Sequence, residues 1–106
     1  MRNMFSECSS LKKLNFNNFN TNKVENMDYM FCGCSSLKEL NINDFDTHNV
    51  TDMGGMFYGC SSLKELSLNN FNTNNVISMR YMFYGCSDEL IKKIKTQYKN
   101  IKEKAF

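Results

Sequence analysis

The sequence predicts an α/β repeat fold: a solenoid of about four coils with a narrow parallel sheet on one side, short helices on the other and a helix closing the C-terminal end. Three observations predict it. The chain repeats with a period of 26 residues, each period pairs an alternating segment with an i, i+3, i+4 apolar triplet, and residues 88–106 replace the period with one amphipathic pattern.

The period is read from Met4-Phe5, Met30-Phe31, Met56-Phe57 and Met82-Phe83, and units start near residues 1, 27, 53 and 79. Cys8, Cys34, Cys60 and Cys86 keep the same spacing, as do Leu11, Leu37 and Leu63, Thr21, Thr47 and Thr73, and Val24, Val50 and Val76. No insertion breaks the register before residue 87. A unit this short cannot bury its own apolar side chains, so neighbouring units must stack and share one core. Positions that recur are therefore expected to face inward.

Within a unit, Leu37-Lys38-Glu39-Leu40-Asn41-Ile42 ends in the period-2 alternation of a strand, with Leu40 and Ile42 inward. Asn26, Asp52 and Ser78 all belong to the preferred N-cap set, and Met27-x-x-Met30-Phe31 follows with apolar groups on one helical face. Gly33, Gly59 and Gly85 stand where a helix C-cap is expected. That reading gives a helix of one to two turns per unit and places Gly54-Gly55 inside the third one, a local weak point. After Cys86, Ser87-Asp88-Glu89 supplies a helix start, and Leu90, Ile91, Ile94, Tyr98 and Ile101 form one apolar stripe. Residues 1–87 are thus the repeat region and 88–106 an amphipathic capping helix.

The unit Met-x-x-Met-Phe-x-Gly-Cys-Ser-Ser-Leu-Lys-Glu-Leu-x-Leu-x-x-Phe-x-Thr-x-x-Val resembles the BspA-like class of leucine-rich repeats over residues 1–87. The resemblance implies a right-handed leucine-rich-repeat solenoid in which Phe19, Phe45 and Phe71 take the place of the usual asparagine. It also implies adhesion-type recognition at a cell surface or after secretion, although the chain shows neither a signal peptide nor an anchor.

Charge and composition exclude several classes. The formal net charge is +2. Residues 1–87 carry seven Lys/Arg against eight Asp/Glu, and 88–106 six lysines against three acids, so the basic character is confined to the tail and nucleic acid is not the expected partner. No stretch reaches the roughly 20 apolar residues of a membrane span. The cysteine ladder places one thiol per coil along a line, which does not converge on a tetrahedral metal site; Cys32, outside the ladder, is expected to be an ordinary partly exposed side chain and the first of the five thiols to react. His48 stands beside Asp46 with no nucleophile set around it, so no catalytic residue, metal or cofactor is expected.

Function is expected where side chains leave the sheet. The candidate ligand-binding face comprises Lys12, Lys13, Asn15 and Asn17, then Lys38, Glu39, Asn41 and Asn43, then Lys64, Glu65, Ser67 and Asn69. The expected partner is a protein or a glycan, bound by a non-enzymatic module. The alternative is a structural or assembly fragment of a longer repeat protein, docking through an uncapped N-terminal edge, most simply as a two-fold dimer.

Overall fold

The computed structural model describes residues 1–17 and 19–106. Units meet along the segment that carries the Met-Phe pair, where the backbone divides its amides between two tasks. The amides of Met30, Cys32 and Cys34 close turns onto the carbonyls of Met27, Tyr29 and Phe31. Those of Tyr29, Phe31 and Gly33, alternating with them, reach the next unit at Gly54, Met56 and Tyr58 (2.9, 2.8 and 2.8 Å). The same rows run from Asn3, Phe5 and Glu7 to Asp28, Met30 and Cys32, and from Gly55, Phe57 and Gly59 to Arg80, Met82 and Tyr84.

An α-helix would send each amide back four residues along its own axis. Here every second amide leaves the unit, so the short helices expected over Met27–Phe31 and its counterparts are replaced by consecutive turns. Asn3, Tyr29, Gly55 and Tyr81, with φ of 58, 54, 61 and 60°, occupy the turn position that demands a left-handed residue. Asn26 and Asp52 are correspondingly not helix caps. Their Oδ1 atoms accept from the amides of Asp28 and Gly54, both at 2.9 Å, closing Asx turns, and Asn26, Asp52 and Ser78 form a row of parallel bridges.

The shared core lies inside these rows. Met27, Met30, Phe31, Cys34 and Leu37 are fully buried, as are Met53, Met56, Phe57, Cys60 and Leu63 one unit later. Each such side chain stabilises the fold by about 1.5–3 kcal/mol relative to exposure. The rings of Phe5, Phe31, Phe57, Phe83 and Phe106 stack face to face at successive centroid distances of 5.8, 5.6, 5.4 and 5.7 Å. Of the three phenylalanines at the asparagine position, Phe45 and Phe71 are buried but Phe19 is 39% exposed. Thr21 and Thr47 are buried because each hydroxyl serves the next unit twice: Thr21 Oγ1 donates to Asp46 O (3.0 Å) and accepts from Asp46 N (2.8 Å), and Thr47 repeats this with Asn72.

On the opposite side, β1 (Lys13–Asn15) pairs in parallel with β2 (Glu39–Asn41), Leu14 opposite Leu40. The third unit does not extend the sheet. Its Leu68 amide turns instead to Tyr98 Oη at 3.0 Å.

Helix α1 (Asp88–Gln97) begins as the sequence indicates: Ser87 Oγ accepts from Leu90 N at 3.2 Å, acids fill the first turn, and Leu90 and Ile94 are buried. It stops nine residues before the chain end, short of the helix expected over 88–106. Ile101 and Ala105 are buried by non-helical chain and by a 3₁₀ turn at Glu103–Ala105. The carbonyls of Lys104 and Ala105 receive the amides of Tyr81 and Phe83 (2.9 and 2.7 Å), so the tail finishes those rows.

These features correct the predicted architecture. The chain is not a right-handed leucine-rich-repeat solenoid with a sheet along every coil and helices opposite. It folds as a small globule of 29 × 27 × 19 Å whose regular elements, among the described residues, are one two-stranded parallel sheet, one α-helix and the 3₁₀ turn.

Candidate functional site

Ten of the twelve candidate face residues are exposed; Asn41 and Ser67 are half-buried. Their charges are organised by register. Lys13 lies directly opposite Glu39 across the β1–β2 pair, and its Nζ is 3.3 Å from Glu39 Oε2. Glu65 is met from α1 by Lys93 at 3.6 Å, which also approaches Glu89 at 3.7 Å. Such exposed pairs contribute at most about 1 kcal/mol each, but they occupy the acids of the face. Lys12, Lys38 and Lys64, which recur at one repeat position, form no ion pair among the described residues.

Several asparagines of the face hold the chain together. Asn41 Nδ2 donates to Asn17 Oδ1 (3.1 Å), Asn70 Nδ2 donates to Asn43 O (2.7 Å), and Asn15 and Asn41 each cap a turn two residues on. Where the third unit parts from β2, α1 overhangs the face and leaves a groove of about 540 Å³ between Glu65, Ser67 and Asn69 on one wall and Lys93, Gln97 and Tyr98 on the other. Tyr98 Oη donates to Asn69 Oδ1 at 3.1 Å. The sequence places α1 as an end cap only; that Lys93 and Tyr98 join the face depends on how the tail folds back, and no local pattern carries that.

The remaining candidates separate clearly. His48 Nδ1 contacts Asp46 Oδ1, and this hydrogen bond holds the exposed Asp46 carboxyl below its usual range. Asn75 Nδ2 takes the His48 carbonyl, so the neighbourhood is a unit-to-unit clasp. Cys34, Cys60 and Cys86 are buried and donate to the carbonyls of Phe5, Phe31 and Phe57 at 3.1, 3.2 and 3.1 Å. Burial pushes the Cys34 thiol up to about 11 and Cys86 up to about 12, and pushes Cys60 further in the same direction. Cys32 is half-buried, its thiol raised first by burial and then by Glu7.

Sequence reasoning missed one surface. Tyr58 and Tyr84 stack at 5.3 Å, Tyr81 meets Tyr84 edge-on at 5.7 Å, and all three are exposed by 38–49%. Their signal was present as tyrosines at two repeat positions: Tyr58 and Tyr84 stand where earlier units have Ser6 and Cys32, and Tyr81 where they have Asn3, Tyr29 and Gly55.

Among the described residues, no group of three or more His, Cys, Asp or Glu is placed to hold a metal ion, and no helix is long and apolar enough to cross a membrane. The family described as Mycoplasma protein of unknown function, DUF285, matches residues 1–104. Neither a curated protein nor a solved structure matches the chain.

Proposed function

The chain belongs to the DUF285 family, and from that premise we propose that it is a non-enzymatic binding module whose outward face recognises an acidic protein or glycan. The reading rests on Lys12, Lys38 and Lys64: three exposed ammonium groups at one repeat position, without carboxylate partners, on a face whose Glu39 and Glu65 are already met by Lys13 and Lys93. Like charges repeated from unit to unit cost stability, and an anionic ligand would relieve that cost. The repeat motif's resemblance to BspA-like adhesins supports the same reading. An interface of this size gives micromolar affinity at best, weakened by salt. Retention on an immobilised sulfated glycan and on immobilised polyglutamate tests it. The triple variant Lys12→Glu, Lys38→Glu, Lys64→Glu should lose retention on at least one matrix while Lys23→Glu keeps it; equal retention of the triple variant on both sinks the proposal.

The second reading, assembly through the N-terminal edge, draws on a different observation. The carbonyls of Asp28, Met30 and Cys32 accept the amides of the unit before them, whereas those of Arg2, Met4 and Ser6 accept none from any described residue. Sedimentation over a concentration range tests it, a single monomeric species at all concentrations being the contrary result.

A further inference from the structure

The row of parallel bridges Asn26–Asp52–Ser78 ends with its last backbone groups unused. Met27 and Met53 donate their amides to Asp52 O and Ser78 O (2.9 and 2.8 Å), and the carbonyls of Glu25 and Thr51 receive the amides of Thr51 and Ile77 (both 2.8 Å). One step further on, the amide of Met79 and the carbonyl of Ile77 have no hydrogen-bond partner among the described residues. Met79 is only 5% exposed. A backbone donor left open on a largely buried residue is costly unless something completes it, and the Ile77 carbonyl stands open beside it.

The tail that serves Tyr81 and Phe83 meets the Met79 side chain, Lys102 N donating to Sδ at 3.3 Å, but leaves the Met79 amide and the Ile77 carbonyl open. It runs past at Lys102–Lys104 and leaves a groove of about 510 Å³ against Val76–Arg80. Ile77 is 86% exposed at its margin, more than any other large apolar side chain described. Arg80, Lys102 and Lys104 supply three cations to the walls, and the one acid, Glu103, lies 3.6 Å from Lys95. Open backbone groups in bridge geometry call for an extended chain; an apolar neighbour and an excess of cations call for alternating apolar and acidic side chains on it.

We propose that this groove binds an extended acidic peptide, which adds one more parallel bridge beyond Ser78. The peptide carbonyl accepts from Met79 N as Asp52 O does from Met27 N, and the preceding peptide amide donates to Ile77 O as Thr51 N does to Glu25 O. Successive side chains of an extended segment point to opposite sides, so an apolar residue covers Ile77 while its neighbours bring carboxylates to Arg80, Lys102 and Lys104. Main-chain bonds supply affinity, and the alternation supplies selectivity. The site is remote in register from the lysine row of the outward face and stands independently of it.

A fluorescein-labelled octapeptide of alternating glutamate and valine, titrated into the full chain and followed by polarisation, provides the test, with amide hydrogen exchange read at Met79. Saturable binding is expected, with Met79 exchange slowed in the complex. Affinity should fall by about tenfold or more in Arg80→Glu and in the Lys102→Glu, Lys104→Glu double variant, and in the peptide methylated on every backbone nitrogen. Arg80→Gln, a milder change, keeps the test valid if charge reversal disturbs folding. Equal binding of the methylated peptide, unchanged Met79 exchange under saturation, or binding only to phosphatidylserine vesicles and not to the peptide would each overturn the proposal.

Discussion

The ring of Tyr29 lies across the place a Gly55 side chain would occupy: a Cβ there would fall 2.4 Å from Tyr29 Cε1 and 2.5 Å from Cδ1. The sequence reading, which puts Gly55 in a helix, expects alanine at this site to stabilise. The structure reverses that. Gly55→Ala should lower stability by about 1–3 kcal/mol, the range of an overpacked site, measured as a drop in the urea midpoint. In a Tyr29→Ala background the penalty should shrink. A gain from Gly55→Ala would restore the helical reading.

How the sequence misled here is instructive about what it does carry. The period and the buried set, Met27, Met30, Phe31, Cys34 and Leu37 with their counterparts, were legible because burial follows recurrence whatever the local conformation. The spacing i, i+3, i+4 was not decisive, since consecutive turns bring Met27, Met30 and Phe31 inward as a helix does. What separates the two is the destination of alternate amides in the next unit, a contact 25 residues or more away. The exposure of ten of the twelve residues from Lys12 to Asn69 follows their place beside recurring apolar positions. The overhang of Lys93 and Tyr98, and the open groups at Ile77 and Met79, arise from the path of the tail and leave no local mark.

Alkaline solution should expose the thiol ladder. Cys34, Cys60 and Cys86 have thiols raised above the ordinary value of 9.0 by burial, so the folded state favours their neutral form. The stability this represents is complete below pH 9 and is lost as pH rises through 9 toward 12 and beyond. The denaturation midpoint should therefore decline over that window, and decline less in Cys60→Ala after correction for its lower starting stability. At pH 8, a disulfide reagent should modify Cys8 and Cys32, both half-buried, before the other three. Rapid native labelling of Cys60 would contradict the burial.

Asp28 shows the same sign in acid. It is 5% exposed, its Oδ2 is 3.2 Å from Arg2 Nε, and its Oδ1 has no hydrogen-bond partner. Burial raises its carboxyl above 3.8, against the opposing pull of Arg2. A raised carboxyl favours the neutral form in the fold, so its contribution is complete below 3.8 and lost as pH rises through the folded value. Asp28→Asn should accordingly be more stable than the parent at pH 7, with the gap closing below pH 3.8. A variant less stable at pH 7 would show that the Arg2 pair outweighs burial.

Tyr98 Oη accepts from Leu68 N and donates to Asn69 Oδ1, joining the third unit to the chain beyond α1. Tyr98→Phe should cost about 1–3 kcal/mol, because the Leu68 amide is left without its acceptor. Hydrogen exchange at Leu68 should accelerate selectively. Unaltered exchange there would mean that water replaces the hydroxyl at no cost.

The unit-to-unit amides of Asn3, Phe5, Glu7, Tyr29, Phe31 and Gly33 all face toward later units, and the carbonyls that receive them all face back. This segment therefore has a direction. Along this segment the peptide dipoles add, much as in a helix, with carbonyls toward earlier units and amides toward later ones, while the bonds from Thr51 to Glu25 and from Ile77 to Thr51 run the other way. Two copies brought together by a two-fold axis through Arg2–Ser6 would set carbonyl against carbonyl, so the symmetric dimer expected from the sequence would form no backbone bond along that segment. Growth there requires a donor presented in the same sense. The Met79 amide faces the later side, among the cations Arg80, Lys102 and Lys104.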